Sequence, residues 1–598
     1  MSRPFLGIER SVTDRVWRER LDESGRGIAL ALVQEYGVDD LLARVLAGRG
    51  VMASDLPSYL EPRLRELMPD PSTMIGMDQA AERLAHAVMA QETIAIFGDY
   101  DVDGACSSAL LAGYLDHVGV KRLIHIPDRL IEGYGPNSEA IRSLHASGAR
   151  LLVTVDCGTT SHEPIDQARR LGMDCIVLDH HQAPVDLPDA FAIVNPNRQD
   201  DLSGLGHLCA AGVVFMTLIA LTRTLRAKGF WKQRGGEPDL MSQLDLVALG
   251  TVADVVPLRG LNRAFVRQGL QVARARSRPG LRALADIARV DGPMTPFHLG
   301  FLIGPRINAG GRIGDAALGA KLLLTQDEGE AVSIATRLDT LNKERQDIEV
   351  AMVAEAEAEA LAALGVHEDH GNIIVTASEA WHPGVVGLVA ARLKERFRRP
   401  AFAIALDGRG SGTGSGRSVP GVDLGRAVRA AVEAGLAVKG GGHAMAAGVT
   451  VRVDQIDPLR DFLEARLGAA SSEAREENSL EVDGAISAGG VKPSLIHEID
   501  KAGPFGSAQP EPLFVLPSHQ VVDAALVGSQ HVRARFRSAD GTVLSGIAFR
   551  AAAAPIGDAL LKGRGSALHI AGHLTIDRYG GGERPQIRIV DVAMPQRL

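Results

Sequence analysis

Short apolar runs that alternate with amphipathic stretches constrain the fold of this chain more than any other feature. From about residue 93 the sequence alternates runs such as "TIAIF", "RLIHIP", "RLLVTV" and "DCIVL" with segments such as "SSALLAGYLDHVG" and "SEAIRSLHASG". This alternation is typical of βαβ units, in which parallel strands form one sheet that helices cover. Ligands bind such sheets at the carboxyl ends of the strands. The sequence therefore predicts an α/β domain whose functional residues lie at the carboxyl ends of the strands.

Further patterns follow, as expected for a chain of 598 residues, which is too long for one hydrophobic core. Residues 318–364 include "AMVAEAEAEALAALG", whose alanine and glutamate content predicts a long helix. A smaller α/β pattern begins at "NIIVTAS" and ends near "KGGGHAMAAG". After the polar segment "SSEAREEN", short strand-like runs separated by turns predict a small β-barrel.

Acidic and imidazole side chains follow the apolar runs of the first pattern. They are Asp99, Asp101, Asp103, Asp156, Asp179, His180 and His181. Carboxylates this close repel one another, which raises their pKa values, so a positive partner is expected nearby. Carboxylates with imidazole suit Mn²⁺ or Mg²⁺, and the imidazole favours Mn²⁺. Asp254 lies in the apolar stretch "DLVALGTVADVVPL", where an acid is costly unless it is paired or bound to metal.

Each of these features also has a purely structural interpretation. Aspartate and glycine favour solvated turns, and an aspartate after a strand often caps a helix. An isolated His-His pair is common at surfaces and in cores. Several such features in order along one predicted sheet favour a metal site.

Composition narrows the class of protein. The N-terminal sequence "MSRPFLGIERSVTDRVWRERL" lacks the apolar core of a signal peptide. The apolar stretch from Leu208 is shorter than the roughly 20 residues that span a bilayer, so it predicts a buried helix. The cysteines form no CxxC pair. We therefore expect a cytoplasmic protein with no membrane role.

The charge of the chain is acidic overall but locally basic. A net charge of −9 argues against nonspecific attraction to nucleic acid. One stretch, "NRAFVRQGLQVARARSRPGLR", contains arginines and no acid, and predicts a basic patch. Its arginines are Arg263, Arg267, Arg274, Arg276, Arg278 and Arg282.

With these motifs the chain resembles the DHH phosphoesterase superfamily. "GDYDVDG", "DCG", "DHH" and "GTVADVVPL" are similar to its ordered motifs, and "KGGGHAMAAG" resembles its companion DHHA1 domain. "PDRLIEGYG", "RINAGGR" and "AGPFGSAQPEPLF" resemble the single-strand-specific 5′→3′ DNA exonucleases of that superfamily. The resemblance covers roughly residues 75–598. It implies an N-terminal segment (1–75), a mostly parallel-sheet DHH domain (76–317), a connecting helix (318–365), a smaller α/β DHHA1 domain (366–472) and an OB-like single-strand-binding barrel (480–598).

The resemblance also implies a catalytic metal centre with two ions, Mn²⁺ or Mg²⁺. The implied ligands are Asp101, Asp103, Asp156 as a bridge, His180 and Asp254. Asp99 and Asp179 would each be a further ligand or would orient His180. His181 completes the catalytic group and is expected to face the scissile phosphate. Many smaller members carry a metal-binding histidine where this chain has Phe97, which leaves the coordination of the first ion open.

Substrate contacts are expected from residues that bind phosphate. Guanidinium groups bind phosphates bidentately, and glycines let backbone N–H groups approach them. The candidates are Arg129, Arg306, Asn308, Arg312, Ser415, Arg417, Gly441, Gly442 and His443. The alternative for "GSGTGSGRS" is a flexible surface loop. In the barrel, Phe536, Phe549 and Tyr579 are the main candidates for stacking on bases.

The resemblance thus implies an exonuclease that removes 5′-mononucleotides from single-stranded DNA in repair and recombination. A phosphodiesterase acting on short oligoribonucleotides or cyclic dinucleotides is the first alternative, although such enzymes generally lack the barrel. A catalytically inactive single-strand-binding scaffold is the second, although it would be expected to have lost ligands. A helicase and a single-strand-binding protein are candidate partners of the exonuclease, and we expect a monomer.

Overall fold

The computed structural model describes residues 3–129, 131–233, 236–365, 371–476, 478–578 and 582–595. The chain forms two compact units, Met1–Glu66 with Glu477–Leu598, and Leu67–Glu476. The two ends of the chain therefore belong to the same unit. The N-terminal segment contains β1 (Val16–Glu19), α1 (Glu23–Tyr36), α2 (Asp40–Ala47), α3 (Leu56–Leu60) and α4 (Leu64–Leu67).

The second unit begins with a five-stranded, entirely parallel sheet. Its strands are β2 (Ile94–Gly98), β3 (Arg122–His125), β4 (Leu151–Val155), β5 (Asp174–Leu178) and β6 (Ala192–Val194). They lie in the order β3-β2-β4-β5-β6. Every residue of β2 and β4 is buried, which explains their continuous apolar runs. The predicted parallel sheet is confirmed.

Helices cover this sheet and extend beyond it. They are α5 (Met77–Ala90), α6 (Val102–His117), α7 (Ser138–Ala146), α8 (His162–Arg170), α9 (Ala210–Ala227), α10 (Leu244–Ala253), α11 (Gly260–Arg274), α12 (Pro279–Ile287) and α13 (Gly304–Ile313). Among the described residues, only α9 is long and apolar enough to cross a membrane, and it is 72% buried, as the core helix of a folded domain would be. The predicted buried helix is thus confirmed.

The stretch expected to form one connecting helix contains two helices. α14 (Ala317–Leu324) ends before Thr325, whose backbone is extended. Asp327 then caps α15 (Glu328–Leu364) by accepting a hydrogen bond from the N–H of Glu330. A side chain that caps a helix stabilises a new helix start, which composition alone did not reveal.

The smaller α/β domain follows α15. Its elements are β7 (Ile374–Ser378), α16 (Val386–Phe397), β8 (Ala401–Leu406), β9 (Ser411–Arg417), α17 (Leu424–Glu433), β10 (Lys439–His443), β11 (Ala446–Arg452) and α18 (Ile456–Glu476). The strand order is β10-β11-β9-β8-β7, and only the β7–β8 pair is parallel. The segment "GSGTGSGRS" is therefore mostly the central strand β9, so the flexible-loop interpretation is wrong.

The C-terminal part of the first unit is a closed β-barrel, as predicted. It contains β12 (Ser479–Val482), β13 (Gly484–Ala485), α19 (Pro493–Asp500), β14 (Phe514–Val527), β15 (His531–Arg537), β16 (Val543–Ala548), α20 (Pro555–Lys562), β17 (Ala567–Asp577) and β18 (Arg584–Ala593). The ring β14-β15-β16-β18-β17 closes because β17 also pairs with β14. Short 3₁₀ helices complete the fold at Phe5–Gly7, Ala53–Asp55, Pro71–Thr73, Phe230–Gln233, Leu240–Gln243, Val453–Gln455 and Ala488–Gly490, with a π-helical turn at His298–Ile303.

Buried polar contacts join the N-terminal segment to the barrel. β1 pairs in parallel with β12. Trp17 of β1 is fully buried, and its Nε1 donates to the buried carboxylate of Asp591 in β18 at 3.0 Å. Asp483 is also buried and accepts from Arg20 at 3.1 Å and Arg49 at 2.8 Å. The N-terminal segment thus packs on the barrel through the buried side chain of Trp17.

Replacing Trp17 with alanine should loosen this junction. The change removes a large buried side chain and leaves Asp591 without its indole partner, which typically costs about 3–5 kcal/mol. We expect faster amide hydrogen exchange in β12 and β18, measured by mass spectrometry. Trp231→Ala, in the other unit, is the control and should leave these amides unchanged. Wild-type protection of β12 and β18 in Trp17→Ala would show that the segment does not support the barrel.

Candidate metal centre and its surroundings

The carboxyl ends of three neighbouring strands place three aspartates side by side. The last residues of β2, β4 and β5 lie in register, and Asp99, Asp156 and Asp179 follow them directly. The backbone N–H of each donates to a residue of the adjacent strand, which extends the sheet by one step. After β2 the chain continues to β3, which pairs with one side of β2. It then returns to β4, which pairs with the other side of β2. Ligands bind open α/β sheets at such a switch point.

The N-terminus of α6 holds the other two acids of "GDYDVDG". Asp101 caps α6, and its Oδ1 accepts from the N–H groups of Asp103 at 2.9 Å and Gly104 at 3.1 Å. The structural interpretation, that an aspartate after a strand caps a helix, is therefore correct for Oδ1 of Asp101. The Asp103 carboxylate accepts from the N–H groups of Ala210 at 2.6 Å and Ala211 at 3.0 Å, in the first turn of α9. Helix N-termini favour negative charge, so both helices offset part of the repulsion between these acids.

His180 lies among the carboxylates of several elements. Its Nε2 is surrounded by carboxylate oxygens, at 3.3 Å from Asp156, 3.6 Å from Asp254 and 3.9 Å from Asp103. Asp254 comes from the C-terminal end of α10. The predicted convergence of separate motifs on one edge of the sheet is therefore observed.

Several buried polar atoms at this edge have no hydrogen-bond partner among the described residues. They are Oδ1 of Asp99, Oδ1 of Asp156 and Nε2 of His180. Leaving a buried polar atom unpaired costs about 1–3 kcal/mol. Atoms of this kind, all good ligands for Mn²⁺ or Mg²⁺, fit a bound cation.

The donor atoms form groups small enough to surround one ion each. Within each group the atoms lie within 4.8 Å of one another, and the groups are Asp99, Asp101 and Asp156; Asp103, His180 and Asp254; and Asp156, His180 and His181. The third group shares Asp156 with the first and His180 with the second, so the donor sets are contiguous, which fits two ions bound side by side.

The electrostatics of the edge also fit a cation. Burial raises the pKa values of Asp99, Asp103, Asp156 and Asp254, and repulsion from neighbouring carboxylates raises them further. Burial lowers the pKa of His180, which keeps the imidazole neutral and able to bind metal. A divalent cation would relieve the repulsion.

Asp179 differs from the other acids. Its carboxylate accepts from the N–H and hydroxyl of Thr159, from the N–H groups of His180 and His181, and from Nδ1 of His181 at 2.8 Å. Burial alone would raise the pKa of Asp179, but these bonds and the charge of His181 lower it instead. Burial likewise opposes protonation of His181, yet the bond to Asp179 prevails and raises its pKa to about 9. This arrangement favours Asp179 as an orienting group rather than a ligand.

Phe97 does not replace the missing histidine with another ligand. Its side chain is fully buried in the core beside the sheet and packs against the His125 ring, with centroids 5.0 Å apart. The donors left near this position are Asp99, Asp101 and Asp156.

Of the phosphate-binding candidates, three arginines lie close enough to affect one another. Burial lowers the pKa of Arg312 to about 10, helped by the charges of Arg129, Arg345 and Arg417. Burial and then Arg129 lower the pKa of Arg417. Arg417 also donates to the Ser415 hydroxyl at 2.8 Å. Within the described residues these three arginines form no ion pair, so the two α/β domains bring positive charge together, which favours binding of an anion.

His443 belongs to the same region. Burial lowers its pKa, and so do the charges of Arg417 and His181. Gly441 and Gly442 precede it in the edge strand β10. The structure therefore leaves these three residues as candidates.

Two other candidates have structural partners instead. Arg306 donates to Asp339 at 2.9 Å and to the carbonyl of Leu302. The side-chain oxygen of Asn308 accepts from the N–H of Val102, between Asp101 and Asp103. Asn308 thus supports the acidic loop, and contact of either side chain with substrate stays a prediction.

Sequence reasoning missed several residues of the site. Tyr134 lies 3.3 Å from the Asp156 carbonyl and 3.4 Å from His181 Nδ1 through its hydroxyl, and Tyr100 lies under the Arg129 guanidinium at 5.1 Å. Tyr100 belongs to the motif "GDYDVDG" and Tyr134 to "PDRLIEGYG". Their position in these motifs could have identified both as candidate site residues. Asn195, whose amide donates to Thr159 and to the His181 carbonyl, carried no such signal.

The predicted arginine patch is largely wrong. Arg263 is buried, Arg278 pairs with the buried Asp245, Arg276 pairs with Asp286, and Arg282 pairs with Glu328. The acids that neutralise the stretch come from outside it, so the local sequence did not reveal them.

The surface of the barrel presents one of the aromatic residues expected to stack on bases, together with a row of arginines. Phe536 is fully buried in the barrel core and cannot stack on a base, which corrects that assignment, whereas Phe549 is exposed. Tyr579 lies outside the described residues. Arg533, Arg535 and Arg537 alternate with buried residues along β15 and form one exposed row.

Comparisons with known proteins agree with this architecture. Family models match residues 93–251 (DHH family, N-terminal domain), 370–469 (DHHA1 domain) and 482–591 (RecJ OB domain). The single-stranded-DNA-specific exonuclease RecJ of Dickeya dadantii is 38% identical over 85% of this chain and 89% of its own length. The Escherichia coli protein of the same name is 36% identical over 93% and 96%.

Solved structures give the same result. A crystal structure of RecJ from Thermus thermophilus in complex with Mn²⁺ superposes with a TM-score of 0.78 at 29% identity, covering 97% of this chain and 80% of that one. A complex of the same protein with Mg²⁺ gives a TM-score of 0.72 at 28% identity, covering 97% and 79%. With the curated relatives above, these matches show that the chain belongs to the RecJ family.

Proposed function

We propose that this protein is a metal-dependent exonuclease that digests single-stranded DNA from the 5′ end and releases 5′-mononucleotides. One observation carries the proposal: three buried ligand atoms without partners among the described residues, on Asp99, Asp156 and His180, lie among acids of raised pKa. Similarity to relatives named as single-stranded-DNA-specific exonucleases supports the choice of substrate.

The residues would hold two ions. Asp99, Asp101 and Asp156 would bind one, and Asp103, His180 and Asp254 the other. Asp156 would also contact the second ion, because its Oδ1 lies 3.3 Å from His180 Nε2. Bound divalent ions would activate a water molecule and stabilise the leaving oxygen in phosphodiester hydrolysis. His181, held by Asp179, would donate a hydrogen bond to the scissile phosphate.

Direction would come from a pocket for the 5′ end, formed by Arg129, Ser415 and Arg417. Attack of water on the second phosphorus breaks its bond to O3′ of the first nucleotide. The released nucleotide then carries a 3′-hydroxyl, and the remaining strand begins with a new 5′-phosphate. Each turnover would therefore regenerate the group that the pocket binds.

The setting of the reaction is also a proposal. A single-strand-specific enzyme needs unpaired DNA, which a helicase provides and a single-strand-binding protein protects. We propose that this protein acts with such partners, as a cytoplasmic monomer, in DNA repair and recombination. In this scheme the DHH and DHHA1 domains cleave the strand, and the barrel holds it.

The first prediction concerns Asp156, whose φ of 63° lies in the left-handed region. Asparagine tolerates this conformation, whereas alanine would add strain, so Asp156→Asn is the cleaner change. Turnover should fall by orders of magnitude, because the bridge between the ions is lost. Without metal, the variant should melt roughly 2–4 °C above wild type, because one repelling charge is gone.

The measurements are nuclease turnover with Mn²⁺ and thermal unfolding in chelator. Asp186→Asn changes an exposed acid of the same domain and should alter neither. Near-wild-type turnover of a folded Asp156→Asn protein would remove Asp156 from the metal centre.

The second prediction concerns the 5′-phosphate pocket. Wild type should prefer 5′-phosphorylated over 5′-hydroxyl oligonucleotides, measured as the ratio of kcat/KM values. Arg417→Ala should remove most of this preference, because it deletes a charge-assisted contact of roughly 1.5–3 kcal/mol. Arg409→Ala, at an exposed position just before the same strand, is the control. An unchanged ratio in Arg417→Ala would exclude Arg417 from the pocket.

The third prediction concerns the arginine row of β15. Replacing Arg533, Arg535 and Arg537 with alanine should weaken binding of long single strands and lower the slope of log K against log salt by roughly 2. Cleavage of very short oligonucleotides should change little. Arg564→Ala, elsewhere on the barrel surface, should leave the slope unchanged. Equal loss on short and long substrates would instead assign the row a structural role.

A further inference from the structure

Two stacked phenylalanines are exposed on the first α/β domain. The rings of Phe297 and Phe301 lie with centroids 5.2 Å apart and planes at 23°. The two residues are 52% and 71% exposed. Isolated exposed apolar residues are common, but adjoining aromatic rings in water suggest a binding surface.

The pair lies on an element that packs against two segments of the candidate metal centre. Phe301 belongs to the π-helical turn, which runs directly into α13 at Gly304. A methyl group at Gly304 would lie 3.5 Å from Ala253 Cβ and 3.8 Å from Val102 Cγ2. Ala253 precedes the proposed ligand Asp254, and Val102 lies between two others in "DYDVD". The turn therefore packs directly on two segments that carry proposed ligands.

The two phenylalanine rings lie next to the face of the turn that packs on α10, and they are not part of that face. Gly300 and Gly304 form the row that meets α10, since a methyl group at Gly300 would lie 3.3 Å from Val252 Cγ1. Phe297 and Phe301 are also four residues apart and form a neighbouring, exposed row. One helical turn is about 5 Å long, so the rings lie within roughly 10 Å of the ligand-bearing segments.

A groove with free cations adjoins the turn. It has a volume of about 770 Å³ and is lined by residues of 274–276 and 286–293. Within it Arg276 pairs with Asp286, whereas the guanidinium groups of Arg274 and Arg289 have no hydrogen-bond or ion-pair partner among the described residues, and Asp291 is the other acid. The groove ends at Pro293, four residues before Phe297, a span of at most about 14 Å.

We propose that Phe297 and Phe301 form a stacking platform for unpaired bases of the substrate strand, and that Arg274 and Arg289 neutralise the adjoining phosphates. Exposed aromatic faces next to free cations are the features with which proteins bind single strands without reading sequence. The packing of this turn on segments that carry proposed ligands favours nucleic acid over a protein partner as the occupant. The proposal rests on the proposed function, because it assigns this surface to the same substrate.

Binding in chelator tests the platform without relying on hydrolysis. Oligonucleotides carrying a single 2-aminopurine at successive positions from the 5′ end are mixed with the protein in EDTA, and fluorescence quenching reports stacking. Wild type should quench the probe at one or two adjacent positions. Phe297→Ala/Phe301→Ala should lose quenching there and bind the strand roughly 5- to 150-fold more weakly.

Matched variants separate stacking from other roles. Phe301→Tyr should retain the quenching and Phe301→Leu should lose it, because leucine keeps the apolar surface but not the aromatic face. Phe191→Ala changes an exposed phenylalanine that precedes the edge strand β6, and this variant should behave as wild type.

Two outcomes would overturn the proposal. Wild-type binding and quenching in the double variant would show that the rings do not contact the strand and would direct attention to a protein partner. Retained quenching in Phe301→Leu would show that the aromatic face is not used. A protein that binds the strand through the phenylalanines but never cleaves it with Mn²⁺ would instead contradict the proposed function alone.

Discussion

The repulsion among buried carboxylates at the carboxyl edge of the parallel sheet is the constraint on which the rest of the structure depends. Asp99, Asp103 and Asp156 are each at most 4% exposed, so water cannot screen their charges. Such an arrangement is unfavourable for folding, because it raises the free energy of the ionised native state. It is maintained by parallel strands in register, two helix N-termini and the hydrogen bonds around Asp179. We interpret the repulsion as the basis of tight cation binding.

Acidic and basic side chains occupy different parts of the site. The acids gather at one edge of the first sheet, while Arg129, Arg312 and Arg417 come together from both α/β domains. Arg312 also donates to the carbonyl of Gly384 in the second domain, at 3.1 Å. A side chain at Gly384 would meet the Arg312 carbonyl at 2.2 Å, so only glycine permits this approach. This close contact joins the two α/β domains. It also positions the arginines that the two domains contribute to the site.

Much of this could be predicted from the sequence because it depends on local patterns. Apolar runs of strand length predicted the parallel sheet, and an acid after a strand must lie at the sheet's edge, as Asp156 does. The partners of Arg306 and Arg278, however, are Asp339 and Asp245, which are distant in sequence and become neighbours only through packing. The same holds for Trp17 and Asp591, at opposite ends of the chain. Phe536 is a different kind of error, because in "HVRARFR" it alternates with arginines and shares a face with Val532 and Ala534, so the local pattern already indicated a buried side chain.

Anomalous diffraction from crystals soaked in Mn²⁺, recorded at the manganese absorption edge, tests the central claim most directly. We expect two peaks, one among Asp99, Asp101 and Asp156 and the other among Asp103, His180 and Asp254, with the Asp156 carboxylate contacting both. A single peak, or ions bound without Asp156, would contradict the proposed two-ion centre.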